Sequence, residues 1–526
     1  MPAAFFGLLL LAGVLLHRDY GVSWDEPTDH LNGMVNVKYI AEILAPEKVA
    51  QDPSARLIPG FRNYRDNDHG VLFEIPVTLL SYAFTHHDSR AYYFLRHFCI
   101  FLVFVLGVWA IYRIGTRWLR DWRWGLLAAA ALVLSPRFFA EAFFNGKDIV
   151  FMSLFALAVH TLTRLIERPT LPRAVWHGIA TAAAIDVRIL AVILVPYTLG
   201  LLLLAATQAG SNRRLIQAAG VYLLATSIAT VVGWPYLWAD PVGNFLAAFQ
   251  NLNHYPWKFT NLYMGRLLTI AELPWHYAPV WIFITTPLPY SLLALVGLGA
   301  VGQQLWHGGW RKAGLLPNRL NLLLIGWLLG PPGIIIVLHS ALYDTWRHLY
   351  FVYPALVLLA VRGVLVFMSL MKAPRSVLVR RLALALLVVA GLETGRTVLR
   401  MVRLHPYEHM YYSFLSPNTV ERQFERDHWA LSFRQGLEWL LTHDPSAQVG
   451  VSITWPLVHP LYNNELILPA AQRARVVYVP KPQRGCYYLT GYRWHPQSYA
   501  DSLGREIYSI RAEGIKILSI FDTTAR

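Results

Sequence analysis

Tyr20-Gly21-Val22-Ser23-Trp24-Asp25-Glu26-Pro27 decides how this chain is read. The run follows an apolar N-terminal stretch, residues 2–16, and places two carboxylates where a membrane helix would emerge. A further acid, Asp148, opens a later apolar segment in Asn145-Gly146-Lys147-Asp148-Ile149-Val150. Carboxylates at a membrane face are costly to dehydrate, so they mark candidate functional sites. Acids at helix ends on one side of a polytopic chain point to an enzyme working at the bilayer surface.

Composition supports that frame. The 526 residues are 55% hydrophobic and 15% charged, against about 25% charged in a typical soluble protein, and the mean hydropathy is +0.38. The net charge of +15 does not indicate nucleic acid. It is concentrated in short loops, where it sets topology and meets anionic headgroups, and no aromatic-and-basic RNA motif is present. The two cysteines, Cys99 and Cys486, are not expected to pair and exclude a Cys-based metal site. Residues 2–16 imitate a signal peptide but lack a basic n-region and a small-residue cleavage site, so a retained first helix is expected.

A membrane span needs roughly 20 apolar residues. Candidate spans are 2–16, 96–114, 124–140, 148–165, 174–185, 189–206, 215–234, 278–302, 320–338, 349–371 and 382–398, about eleven in all. The stretch 174–207 is long for one helix and is split at Asp186-Val187-Arg188. One set of short loops carries sixteen basic residues: Arg113, Arg117, Arg120, Arg123, Arg164, Arg168, Arg173, Arg213, Arg214, Arg311, Lys312, Arg319, Lys372, Arg375, Arg380 and Arg381. The opposite set carries five, Lys147, Arg188, Lys258, Arg266 and Arg347. The basic side is therefore cytoplasmic. Loop 17–95, loop 235–277 and the C-terminal region then lie outside, in the periplasm or its equivalent.

Within loop 17–95, Leu31–Leu44 and Val71–Phe84 read as helices lying in the interface. Loop 235–277 (Trp234, Pro235, Tyr236, Trp238, Tyr255, Trp257, Tyr263, Trp275, Tyr277) reads as an aromatic belt. Residues 405–526 turn hydrophilic, with strand-like runs at Gln448–Ile453, Ala474–Val479 and Lys516–Phe521 and a helix over Ser432–Thr442. A small α/β domain outside the membrane is expected over residues 401–526, after a transmembrane module over 1–400. No internal repeat supports an inverted-repeat transporter.

Each candidate residue has a plainer reading beside the functional one. Asp148 could simply cap its helix, since an N-terminus favours a carboxylate by up to about 1 kcal/mol. Asp25 could be a solvated loop acid. Arg188 is either a salt-bridge partner of Asp186 or a phosphate clamp, a role that suits a guanidinium. Arg347-His348 is an interfacial anchor or a ligand contact, and Lys147 adds another positive charge. His69, in Asn67-Asp68-His69-Gly70, is by default a solvated histidine. His86-His87-Asp88 lacks a clear third ligand position for a metal. No Walker loop, G-x-G-x-x-G element or G-x-S-x-G elbow occurs. Chemistry on the outer face must draw on an activated donor delivered through the membrane, and lipid-linked phosphosugars are such donors.

These features together resemble the GT-C superfamily of polytopic glycosyltransferases, in the branch of the protein O-mannosyltransferases and the lipid A aminoarabinose transferase. Trp24-Asp25-Glu26 matches that family's early Asp-Glu pair, and Gly146-Lys147-Asp148-Ile149 its second acid. Asp68-His69-Gly70-Val71-Leu72 stands where the family has a His/Lys-Pro-Pro element but lacks both prolines. Ala182-Ala183-Ala184-Ile185-Asp186-Val187-Arg188 is similar to its small-residue run ending in a basic turn. The layout is matched over roughly residues 1–400.

The resemblance implies a GT-C fold with about 11 transmembrane helices in a bacterial inner membrane. It implies an inverting hexosyl or pentosyl transfer from a polyprenyl-phosphate sugar to a hydroxyl acceptor. Asp25, Glu26 and Asp148 would then be catalytic, and Arg188, Lys147, Arg347, His348 and His69 would bind the donor phosphate. No cofactor is expected, and a divalent metal is not favoured. A lipid-linked glycan transporter and a non-catalytic scaffold in an envelope-glycan complex are the alternatives.

Overall fold

The computed structural model describes residues 1–208, 212–253, 258–309, 312–372, 376–452, 457–479, 484–499 and 503–523. Tyr255, Trp257, Arg311, Arg375 and Ile453 lie outside the described residues. Helix α1 (Pro2–Leu16) leads into a loop that carries α2 (Glu26–Leu44), α3 (Pro46–Gln51) and α4 (Glu74–Phe84). There follow α5 (Ser89–Leu119), α6 (Trp122–Val133), α7 (Pro136–Phe144), α8 (Asp148–Glu167), α9 (Leu171–Ile185), α10 (Leu194–Ala206), α11 (Arg213–Gly233) and α12 (Pro241–Asn253). The long helices resume with α13 (Tyr277–Thr285), α14 (Leu288–Gly308), α15 (Leu316–Leu338), α16 (Tyr353–Lys372) and α17 (Val377–Leu404).

Helix stands at each expected span, but the boundaries differ for local reasons. Seven segments among the described residues are long and apolar enough to cross a membrane, or eight if α6 and α7 form one broken span. The chain is therefore an integral, multi-pass membrane protein. Helices α1 and α9 have only 15 residues each, roughly 22 Å at 1.5 Å per residue. The expected span 124–140 is two helices bent by 70°. Pro136 forces the residue before it out of the helical region, and Ser135 is extended there. Its hydroxyl donates back to the Ala131 carbonyl at 2.8 Å. Pro287 likewise separates α13 from α14. The chain does turn at Asp186-Val187-Arg188, after which a 3-10 helix, Ile189–Ile193, enters α10.

Two sets of contacts define two ends of the bundle. At one end Arg117 at the close of α5 pairs with Glu167 at 2.6 Å, and Arg319 donates to the Ile166 carbonyl at 3.0 Å. At the other, the start of α8, the turn after α9 and the 3-10 helix Arg347–Val352 that leads into α16 meet through Asp148, Arg188 and Arg347. The bundle interior packs closely where residues are small. A Cβ on Gly363 of α16 would stand 2.1 Å from the Leu293 carbonyl oxygen of α14, and one on Gly297 would stand 1.9 Å from that of Leu359. Small residues let membrane helices approach backbone to backbone.

The loop after α11 contains a hairpin that the sequence reading missed, β1 (Asn261–Tyr263) and β2 (Arg266–Leu268). The C-terminal region holds α18 (Pro417–Gln423), α19 (Ser432–His443), β3 (Val449–Ser452), α20 (Val458–Glu465), α21 (Ala470–Arg473), β4 (Val476–Val479), β5 (Tyr487–Gly491), β6 (Arg505–Ala512) and β7 (Ile515–Asp522). Strand order is β4-β3-β5-β7-β6. Strands β4, β3 and β5 run parallel, while β7 is antiparallel to β5 and β6. Helix α19 lies on this sheet: its Trp439 ring stacks on Tyr508 of β6 at 4.3 Å.

Gly363→Val should lower the thermal unfolding midpoint in detergent, because overpacking a tight contact typically costs about 1–3 kcal/mol. Gly299→Val, on α14 with nothing within 4 Å of its would-be Cβ, should leave the midpoint unchanged. Equal midpoints for the two variants would refute the close-approach account.

Candidate active site

The acid pair is set in place by residues more than four hundred positions away. The Asn464 side chain accepts the Val22 amide at 3.0 Å and donates to the Val22 carbonyl at 3.1 Å. Asn463 donates to the carbonyls of Ser23 and Trp24 at 3.2 and 3.3 Å. Arg434 donates to the carbonyls of Arg18 and Tyr20 at 2.6 and 2.8 Å. Gly21 has no room for a side chain, since a Cβ would stand 2.5 Å from Asn464 Oδ1 and 2.6 Å from the Leu431 oxygen. Trp24 is boxed edge-on by Phe259, His459 and Trp494.

Where this segment becomes α2, the two acids diverge. Glu26 is fully buried. Its Oε2 accepts the Ser23 amide at 2.7 Å, closing the turn, and its Oε1 faces His97 Nε2 at 3.1 Å and Arg96 Nε at 3.6 Å on α5. Arg96 also meets Glu74 at 2.5 Å and Asp29 at 3.5 Å. Asp29 follows Asp25 by about one turn of α2 and accepts Lys147 at 2.7 Å.

Asp25 points the other way, to Arg347 at 2.6 Å, and its side chain is 29% exposed. Arg347 is the hub of the cluster. It lies 3.9 Å from Asp148 and 3.3 Å from Asp344, and its guanidinium faces the rings of Trp429 and Tyr343 at 4.9 and 5.3 Å. Asp148 also binds Arg188, and Asp344 binds Arg493 of the C-terminal region. Despite these pairs, Nε of Arg188 and Nε of Arg347 are buried without a hydrogen-bond partner among the described residues.

Asp25, Asp148, Lys147, Arg188 and Arg347 are thus brought together. Glu26 stands behind them as a lock between the loop and α5. Arg188 pairs with Asp148 rather than with Asp186. Asp148 makes no cap bond; it accepts from Asn145 at 3.0 Å, within a chain through Glu141 to the Tyr350 hydroxyl. His348 is packed edge-on against Tyr343 at 4.5 Å. His69 meets Asp68 at 3.1 Å, in the loop whose Leu72 amide donates to the Asp186 carbonyl. No group of three or more His, Cys, Asp or Glu among the described residues could hold a metal ion, the His86-His87-Asp88 run included.

Sequence reasoning missed Asp29, Glu74, Arg96, Asp344, Arg493 and Glu425. The signal for Arg96 was present, as a cation inside an apolar helix. Asp344 and Arg493 gave none, because only the tertiary fold brings them together.

The field of these groups sets protonation. Burial raises the Asp25 carboxyl, but Arg347 and Lys147 outweigh it and hold it below the usual carboxylate range. Burial alone would lower Lys147, yet Asp29 and Asp25 hold it above the ordinary lysine range. Glu425 is the opposite case. Burial pushes its carboxyl up to about 8 despite Arg493, and Asp344 adds to the rise.

Residues 80–238 match the family model described as dolichyl-phosphate-mannose-protein mannosyltransferase. The resemblance to GT-C glycosyltransferases holds. The matched segment carries Arg96, Lys147, Asp148 and Arg188. Among solved structures, the chain is similar to ArnT from Cupriavidus metallidurans bound to undecaprenyl phosphate. The two are 14% identical over 98% of this chain and 97% of that one, with a TM-score of 0.48. It is also similar to the Archaeoglobus fulgidus oligosaccharyltransferase tethered with an acceptor peptide, 12% identical over 78% of this chain, with a TM-score of 0.42. The chain spans 55% of that protein's length. No curated protein sequence matches.

Two outcomes follow from this geometry. Glu425 stays protonated in the folded protein up to about pH 8 but ionises near 4.3 when unfolded. The folded state therefore binds more protons between those values, and stability falls as pH rises across them. Glu425→Gln should flatten that fall in unfolding midpoints measured from pH 5 to 8; an unchanged slope would rule it out. Asn464→Ala should loosen the Val22 clamp and cost about 1–3 kcal/mol for the unpaired buried groups, read as a lower midpoint in detergent.

Proposed function

We propose that this protein is an inverting glycosyltransferase that moves a monosaccharide, hexosyl or pentosyl, from a polyprenyl-phosphate donor to a hydroxyl acceptor. In this reading the site faces the outer side of the membrane, the orientation that the charge bias of the short loops supports, and the membrane is a bacterial inner membrane with the site on its periplasmic side. The observation that carries the reading is a partly exposed carboxylate, Asp25, held below the usual carboxylate range beside guanidiniums whose Nε–H groups have no hydrogen-bond partner among the described residues. The family match over residues 80–238 supports it, and ArnT bound to undecaprenyl phosphate is a relative of the right lipid chemistry.

In this mechanism the acceptor hydroxyl gives its proton to Asp25 as its oxygen attacks the anomeric carbon. The bond from that carbon to the phosphate oxygen breaks, and its electron pair leaves with polyprenyl phosphate. Arg188 and Arg347, aided by Lys147, offset the charge gathering on the departing phosphate, an electrostatic contribution that often dominates catalysis. Asp148 holds both arginines toward the phosphate, and Glu26 fixes the loop that presents Asp25. His348 and His69 are assigned to the rim of the donor site. The acceptor is a protein side chain, a glycolipid or a polysaccharide, and no cofactor is invoked.

The 70° break between α6 and α7 favours one other reading, transport of a lipid-linked glycan, because broken helices line many transport pathways. Release of polyprenyl phosphate from a panel of polyprenyl-phosphate sugars, with envelope extract as acceptor, separates the two. Wild type should turn over one donor, and Asp25→Asn should lose at least about 100-fold in rate, as removal of a general base does. Retained turnover in the variant would remove Asp25 from the chemistry, and no turnover of any donor by wild type would move the assignment to transport.

A further inference from the structure

A cavity edged by two arginines lies outside the carboxylate cluster, between the end of α1 and the start of α5. It has a volume of about 540 Å³ and is walled by Val14, Ala91, Leu95 and Phe98 and bordered by Arg18 and Arg90. The volume is in the range of small-ligand pockets. Both guanidiniums gather at one ring, with Cζ 5.7 Å and 5.2 Å from the centroid of Phe94. No salt bridge joins either arginine to a carboxylate among the described residues, and Nε of Arg90 is buried without a hydrogen-bond partner. Asp88 also lines the cavity, but neither arginine pairs with it. It accepts the Ala91 amide at 3.0 Å, and its other oxygen lies 3.6 Å from Arg473.

His17 orients the site without adding charge. Its Nδ1 donates to the Val14 carbonyl at 2.8 Å, and its Nε2 accepts from Arg18 at 3.4 Å, which requires an unprotonated Nε2. Away from these polar groups, Leu8, Leu11 and Leu15 of α1 are exposed, an apolar surface fit for acyl chains. The cations sit at the end of the bundle that carries Asp25, in the long first loop, where the charge rule for short loops does not apply.

We propose that this groove binds the phosphate of an anionic phospholipid, with its acyl chains along α1. The two guanidiniums take the phosphate oxygens, a geometry arginine favours over lysine. The apolar walls take the first methylenes. The site is independent of the transfer reaction and requires only that the protein resides in a bilayer.

The test titrates purified protein in detergent with phosphatidylglycerol and counts retained lipids by native mass spectrometry. Wild type should retain one phosphatidylglycerol in preference to phosphatidylcholine. Arg18→Gln/Arg90→Gln should lose that preference by at least about five-fold, the worth of a single basic residue at an anionic surface. Val14→Trp, which fills the groove and keeps both arginines, should lose it too, so a folding defect in the first variant would not decide the matter. Equal retention in both variants would overturn the proposal. So would a matching thermal shift from inorganic phosphate alone, which would indicate a free-anion site. One-for-one displacement by undecaprenyl phosphate would also overturn it, by assigning the groove to the donor lipid.

Discussion

The structure depends on a rule of buried charge: an ion removed from water needs a partner of opposite sign, and breaking such a pair costs about 3–5 kcal/mol. Arg347 is the centre on which this rule acts. It is 5% exposed and lies against Asp25, Asp148 and Asp344. Those acids come from the first loop, the start of α8 and the segment before α16. Remaining in register at one point, they hold three distant parts of the chain together. The second centre, Arg96 with Glu26, Asp29 and Glu74, does the same for α2, α4 and α5. Lys147, between Asp29 and the Arg347 group, links the two.

This arrangement explains why two adjacent acids behave differently. Successive residues at the start of a helix point about 100° apart. Glu26 therefore turns into the bundle and becomes a lock, while Asp25 turns to the accessible side. A buried lock and a partly exposed carboxylate one residue apart make a position with little freedom to shift. That stiffness suits a group that must meet a substrate hydroxyl at a fixed distance.

Much of this was legible in the residues. The apolar runs located the helices, and the punctuation at Asp186-Val187-Arg188 located a real turn. The runs at Leu31–Leu44 and Val71–Phe84 located the two longest helices of the first loop. In the C-terminal region the reading found α19, β3, β4 and β7 but not β5 and β6. Tyr487–Gly491 is a central strand buried beyond its first residue, but it is only five residues long and ends in Thr490-Gly491, and Arg505–Ala512 lies at a sheet edge where polar and apolar residues mix. The break before Pro136 was passed over because hydropathy sums residues without regard to backbone geometry. The partners of Arg347 and Arg188 were beyond reach for another reason. Asp344 and Arg493 are 149 residues apart, and local patterning does not encode such a pairing.

The clamp of Asn463 and Asn464 on residues 22–24 bears on the biogenesis of the protein. Asp25 is made well before the amides that set its backbone, which follow some 440 positions later. A nascent chain already threaded into the bilayer would carry the acid pair without its final setting. The site is therefore completed only when the segment carrying Arg434, Asn463 and Asn464 has emerged and docked. A chain stalled or cut before that point would lie in the membrane with its apolar helices satisfied and its central acid unplaced.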